Sequence, residues 1–134
     1  MLVRKFCYLI FILFFSSLSI AAELIEIDFV YIGEREHPSF LGVNQGIDES
    51  NLQGQFLNQK YNLDVITSDK IDGYDFSKYI AVLTSLNSKQ LKNLAKQLSN
   101  TSIFNLADES NELRHSCIGN ILHITPSNKM KSDA

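Results

Sequence analysis

Residues 79–84, Tyr-Ile-Ala-Val-Leu-Thr, form an uncharged run with no apolar–polar alternation. A short run of this kind describes a strand buried on both faces, the habit of parallel sheets. Parallel neighbours must be joined by a crossover, usually a helix. The run therefore predicts α/β organisation. The next twenty residues agree. Asn87 or Ser88 opens a helix in which Leu91, Leu94, Ala95 and Leu98 recur at i, i+3, i+4 and i+7, with Lys89, Lys92 and Lys96 on the wet side. Ser99-Asn100 closes it, and Ser102–Leu106 returns to strand character.

The same alternation runs through the rest of the chain. Leu24–Ile32 is rich in β-branched and aromatic residues and stops at Gly33, so it reads as a first strand. After a polar stretch containing Pro38, the segment Gly46–Leu57 reads as an irregular helix lined by Ile47, Leu52, Phe56 and Leu57 and weakened by Gly54. Tyr61–Thr67 is a second strand. Asp69–Ser77 is turn-rich around Asp72-Gly73, and Ile118–Thr125 contains a fifth strand. Pro126-Ser127 opens a further helix just before the chain stops at Ala134. The predicted fold is α/β, a mainly parallel sheet with flanking helices. Ligands of such sheets sit outside the carboxyl ends of the strands. Those ends are Gly33-Glu34, Thr84-Ser85 and Ala107-Asp108, the predicted ligand-binding residues.

The first 22 residues differ from all of this. Arg4 and Lys5 precede the apolar run 6–15, and Ser16, Ser17, Ser19, Ala21 and Ala22 come after it. A basic start, a short apolar core and a small-residue exit predict a signal peptide over 1–22 and a periplasmic location. An uncleaved membrane anchor is the other reading, although the run is shorter than the roughly 20 residues that span a bilayer. Loss of Arg4 and Lys5 with that segment takes the formal charge from −3 to −5. An acidic chain without a basic face predicts no nucleic-acid partner. Cleavage would also remove Cys7. Cys117 would then stand alone, either buried and inert or paired with chain beyond this sequence.

Several chemistries find little purchase. There is no G-x-G-x-x-G and no Walker motif to cradle phosphate. His115, Cys117 and His123 are candidates for a metal or thiol site in a small periplasmic α/β domain, but no spacing fixes their geometry. The acidic pairs Glu34/Glu36 and Asp108/Glu109 read as solvated loop carboxylates or as partners for an ammonium group. Thr84 and Ser85 offer short hydroxyls at a strand end, suited either to holding a carboxylate or to capping the next helix.

One pattern is more specific. Leu113-Arg114-x-x-Cys117-x-x-Asn120-Ile121-Leu122-His123-x-x-Pro126-Ser127-x-x-Met130-x-x-Asp133-Ala134 resembles a stretch of the type I periplasmic binding proteins. These are the substrate-binding components of ABC importers, similar to those for branched-chain amino acids, and the branch most similar accompanies pyrroloquinoline-quinone-dependent alcohol dehydrogenase systems. Phe29–Ile32 with its Arg- and Pro-containing loop, Gln53–Gln59, and Phe104-Asn105 with the Asp108–Arg114 loop extend the resemblance over most of 26–134. The near-absence of a helix at Asp69–Ser77 departs from it. The resemblance implies a non-enzymatic protein that captures a small solute, amino-acid-like or linked to alcohol oxidation, for a membrane permease. It implies no cofactor, no metal and no catalytic residue. Family members close two lobes over the ligand. Residues 23–134 then correspond to a partial N-terminal lobe, with the second lobe missing, as in a fragment or a truncated remnant.

Overall fold

The computed structural model describes residues 23–134. The predicted signal peptide and Cys7 lie outside the described residues. Five strands pair in the order β2-β1-β3-β4-β5, and every pairing is parallel. They are β1 (Ile25–Ile32), β2 (Gln59–Ile66), β3 (Ala81–Thr84), β4 (Ser102–Asn105) and β5 (Ile121–His123). Helix α1 (Pro38–Leu57) joins β1 to β2, and α2 (Ser88–Gln97) joins β3 to β4. Short α3 (Asn111–His115) leads into β5, and α4 (Asn128–Ser132) comes after it. The mainly parallel sheet expected from sequence is thus parallel throughout. Among the described residues no helix is long and apolar enough to cross a membrane.

The chain moves one way across the sheet from β1 to β2 and the other way from β3 to β4. Right-handed crossovers then place α1 and α2 on opposite faces. Residues in register share a face, so Val30, Ile32, Val82, Ile103 and Ile121 line the α2 side. With Leu91, Leu94 and Ala95 of α2 and Leu113 of α3 they form the buried core. Burying a side chain such as Leu91 contributes roughly 1.5–3 kcal/mol. Asn87 starts α2 with a capping box, accepting from Gln90 N at 3.1 Å while Gln90 Oε1 accepts from Asn87 N at 3.3 Å.

Helix α1 is longer and more regular than expected. It starts at Pro38, whose missing N–H costs nothing at a first helical position, and His37 caps it by accepting from Ser39 N. Its Phe40 packs on Tyr31, ring centroids 5.3 Å apart, covering the opposite face of the sheet. Gly54 is required near its end, because a Cβ there would sit 2.5 Å from the Gln59 carbonyl oxygen. The crossing from β2 to β3 holds only a single 3₁₀ turn, Ser68–Lys70. Aromatic side chains do the covering instead. Phe76 and Tyr79 join the core, and Tyr79 stacks on Tyr74 with the two hydroxyls 2.6 Å apart. The Tyr79 hydroxyl donates to Asp64 at 2.6 Å, and Lys78 pairs with the same carboxylate at 2.8 Å.

Candidate functional site

Strand order reverses between β1 and β3, since β1 continues toward β2 and β3 toward β4. Such a reversal is the position at which parallel sheets commonly bind ligands, outside the carboxyl ends of the strands. Gly33 directly follows β1 and Ser85 directly follows β3. A side chain at Gly33 would collide with Ser85 Oγ and come within 2.9 Å of the Tyr31 hydroxyl. Glycine is therefore what lets the two strand ends meet. Tyr31 donates to Ser85 Oγ at 2.9 Å, and its oxygen lies 3.4 Å from Ser39 Oγ at the start of α1. His37 Nδ1 accepts from Ser39 N at 3.2 Å, which leaves the ring proton on Nε2, and the Ser39 hydroxyl lies 2.6 Å from the same nitrogen. Ser85 accepts from Tyr31 and keeps its own O–H to donate.

Beside this cluster runs a groove lined by Gly33–Glu36 of the β1 end, Val65–Thr67 of the β2 end, and Lys70. It is open, and its volume of about 260 Å³ falls below the roughly 300–1,000 Å³ of enclosed small-molecule pockets. Glu34, Arg35 and Glu36 are exposed on it, with the Arg35 guanidinium 5.4 Å from the Phe40 ring centroid.

The β4 end carries a second polar group. Asn105 is fully buried and fixes the turn after it, accepting from Ala107 N at 3.2 Å and Asp108 N at 2.9 Å. Its amide nitrogen reaches the Asp108 carbonyl at 2.6 Å and His123 Nδ1 at 3.0 Å. Asp108 accepts from the Ser88 hydroxyl at 2.7 Å and from Ser110 N at 2.9 Å. Burial works to raise the Asp108 pKa, but the bonds from Ser88 and Ser110 outweigh it and hold the carboxyl below its usual range. His123 is shifted down, first by burial and then by the charge of Arg114, with Asp108 pulling the other way. The Arg114 guanidinium donates to the Thr125 carbonyl while its buried Nε has no partner.

The predicted ligand-binding residues thus divide. Gly33 and Ser85 come together, and Glu34 lies on the adjoining groove. Ala107 and Asp108 belong to the network of the β4 turn. Thr84 is fully buried, its hydroxyl donating to the Ile32 carbonyl and accepting from Leu86 N, both at 3.0 Å. It ties β1 to β3 and has no surface to offer a solute. Tyr31, His37 and Ser39 join the site without a signal in the sequence. An aromatic residue within a strand reads as core, and histidine is not among the preferred N-caps.

The residues of the alternative thiol or metal reading are not gathered. His115 ends α3 and is exposed, and His123 is engaged by Asn105. Cys117 is exposed with a left-handed backbone (φ 45°), which removes the buried thiol from the two alternatives read from sequence. Among the described residues no three His, Cys, Asp or Glu side chains converge on a metal position. Comparison with family models, curated proteins and solved structures finds no match to this chain.

Proposed function

We propose that this chain is the solute-binding component of an ABC importer, exported to the periplasm and holding a small amino-acid-like or alcohol-derived solute at the carboxyl edge of its sheet. The observation that carries this reading is the meeting of Gly33 and Ser85 at the β1/β3 switch point. There the missing side chain of buried Gly33 lets Ser85 Oγ pack against its backbone, and the half-buried Ser85 hydroxyl, which accepts from Tyr31, keeps its own proton to donate toward the strand-end surface. A carboxylate or hydroxyl of the solute is the complement of that donor. Nothing in this role requires covalent chemistry. The solute is bound and passed to a permease, and a second lobe supplies the other wall, as the resemblance implies. The described residues offer one wall.

One wall encloses far less than the 70–90% of a ligand that a pocket buries, so a dissociation constant in the millimolar range or weaker is expected. The test is a titration of the isotope-labelled chain with leucine, isoleucine, valine and short alcohols and carboxylic acids, read by amide chemical shifts. The expected result is a saturable shift at Gly33, Glu34 and Ser85 that the Ser85→Ala variant loses. Shifts confined to other parts of the sheet, or none with any of these solutes, would overturn the reading.

A further inference from the structure

Strand β2 is an edge of the sheet, and its outer side is set by the ladder to β1. Ile25 N donates to the Asn58 carbonyl and Gly33 N to the Ile66 carbonyl, so the even-numbered residues of β2 face β1. The backbone groups of Tyr61, Leu63 and Val65 therefore face outward, the arrangement that invites another strand. At Tyr61 those groups are occupied. Asn51 of α1 accepts from Tyr61 N through Oδ1 at 2.8 Å and donates to the Tyr61 carbonyl through Nδ2 at 2.9 Å. Its carboxamide makes the two bonds that a neighbouring strand would make. Gly54, one helical turn later, brings the helix close enough for this reach, since any side chain there would strike the Gln59 carbonyl.

We propose that Asn51 is an edge guard whose carboxamide blocks pairing of β2 with β2 of a second copy of this chain. The sequence of the edge identifies that partner. In an antiparallel pair centred on Asn62, Tyr61 faces Leu63 of the copy in a hydrogen-bonded position. In the same register Lys60 faces Asp64, opposite charges directly across the seam. Both are exposed, resting now against Glu26 at 3.8 Å and Lys78 at 2.8 Å. The strand is thus complementary to itself in both backbone and charge, and the Asn51 amide occupies the backbone groups at its centre.

The test compares sedimentation velocity of the full chain and its Asn51→Ala variant over a concentration series. Removal of the guard should tighten self-association by about tenfold, equivalent to about 1.4 kcal/mol, and should speed amide exchange at Tyr61 at dilutions where the variant is monomeric. Adding Lys60→Glu sets like charges across the seam and should return association to the wild-type level. Unchanged association of Asn51→Ala would overturn the proposal, whether or not Tyr61 exchange accelerates. So would association that Lys60→Glu leaves untouched. If Asn51→Ala does not fold, Asn51→Asp decides by association and its reversal by Lys60→Glu alone, because it keeps the acceptor that protects Tyr61 N and loses only the donor to the Tyr61 carbonyl.

Discussion

The two faces of the sheet are covered by different means. On the α2 side Val30, Ile32, Val82 and Ile103 have no exposure, and a ten-residue helix presents Leu91, Leu94 and Ala95 squarely to them. On the α1 side deep side-chain burial is confined to Tyr31, Ala81 and the Phe40 that packs on Tyr31. Leu122 is 43% exposed and Ile124 just beyond it 62% exposed. Helix α1 is twice as long as α2 yet buries only Phe40 and Gly54, while Leu41, Leu52 and Phe56 point to solvent. Length of helix is therefore a poor guide to how much it stabilises. One helix holds its face by apolar area, the other by backbone proximity at Gly54 and polar bonds from Asn51 and Ser39.

Truncation should expose that contrast most sharply. Leu91→Ala or Leu94→Ala opens a cavity beneath α2 and should cost about 2–5 kcal/mol in chemical denaturation. Leu52→Ala or Phe56→Ala on α1 should shift stability by no more than about 0.5 kcal/mol, as for other surface positions. Equal losses in the two helices would show that α1 also carries a core face.

A smaller contrast lies within α1 itself. Nothing approaches a Cβ at Gly46, whereas one at Gly54 meets the Gln59 carbonyl. Gly46→Ala should stabilise the chain by about 0.8–1 kcal/mol from helix propensity alone. The same change at Gly54 must push α1 off β2, and should destabilise by up to about 2 kcal/mol after that propensity gain is subtracted. Thermal or urea midpoints of the two variants give opposite signs if close approach is what seats the helix.

These differences also decide what could be read from sequence. Helix α2 is legible because area holds it. Its apolar residues have to recur at helical spacing, and Asn87 has to cap them. The start of α1 is not legible. Pro38 and Gly42 look like loop, and an Asn51 that braces a strand edge leaves no hydrophobic signature. The strands are legible from β-branched runs, and with them the crevice at their carboxyl ends. Thr84 and Ser85 look equivalent there, yet strand alternation separates them. Thr84 pairs in register with Ile32 and turns toward the core, while Ser85 lies one residue on. His37 and Ser39 enter the site through the cap of a helix whose start the sequence does not mark.

The smallest expected effect concerns pH and the buried face. His123 sits in register with Asn105 on the α2 side and accepts from its amide through Nδ1, a bond that only the neutral ring can take. Burial and the nearby Arg114 charge hold its folded pKa below the usual value of 6.5. The unfolded chain, with an ordinary histidine, then binds a proton that the folded chain refuses. Stability is complete above about pH 6.5 and falls as pH drops from there toward the folded pKa. Asp64 and Asp108 have depressed folded pKa values, so they hold their contribution until pH falls below the ordinary aspartate value of 3.8. As pH falls, the histidine window opens before the carboxylate one. Urea midpoints measured at about pH 7.5 and pH 5.5, on either side of the ordinary histidine value, should therefore fall for the wild-type chain. They should fall less for His123→Asn, which cannot titrate. The same acid loss in both proteins would place the sensitivity outside the Asn105–His123 contact.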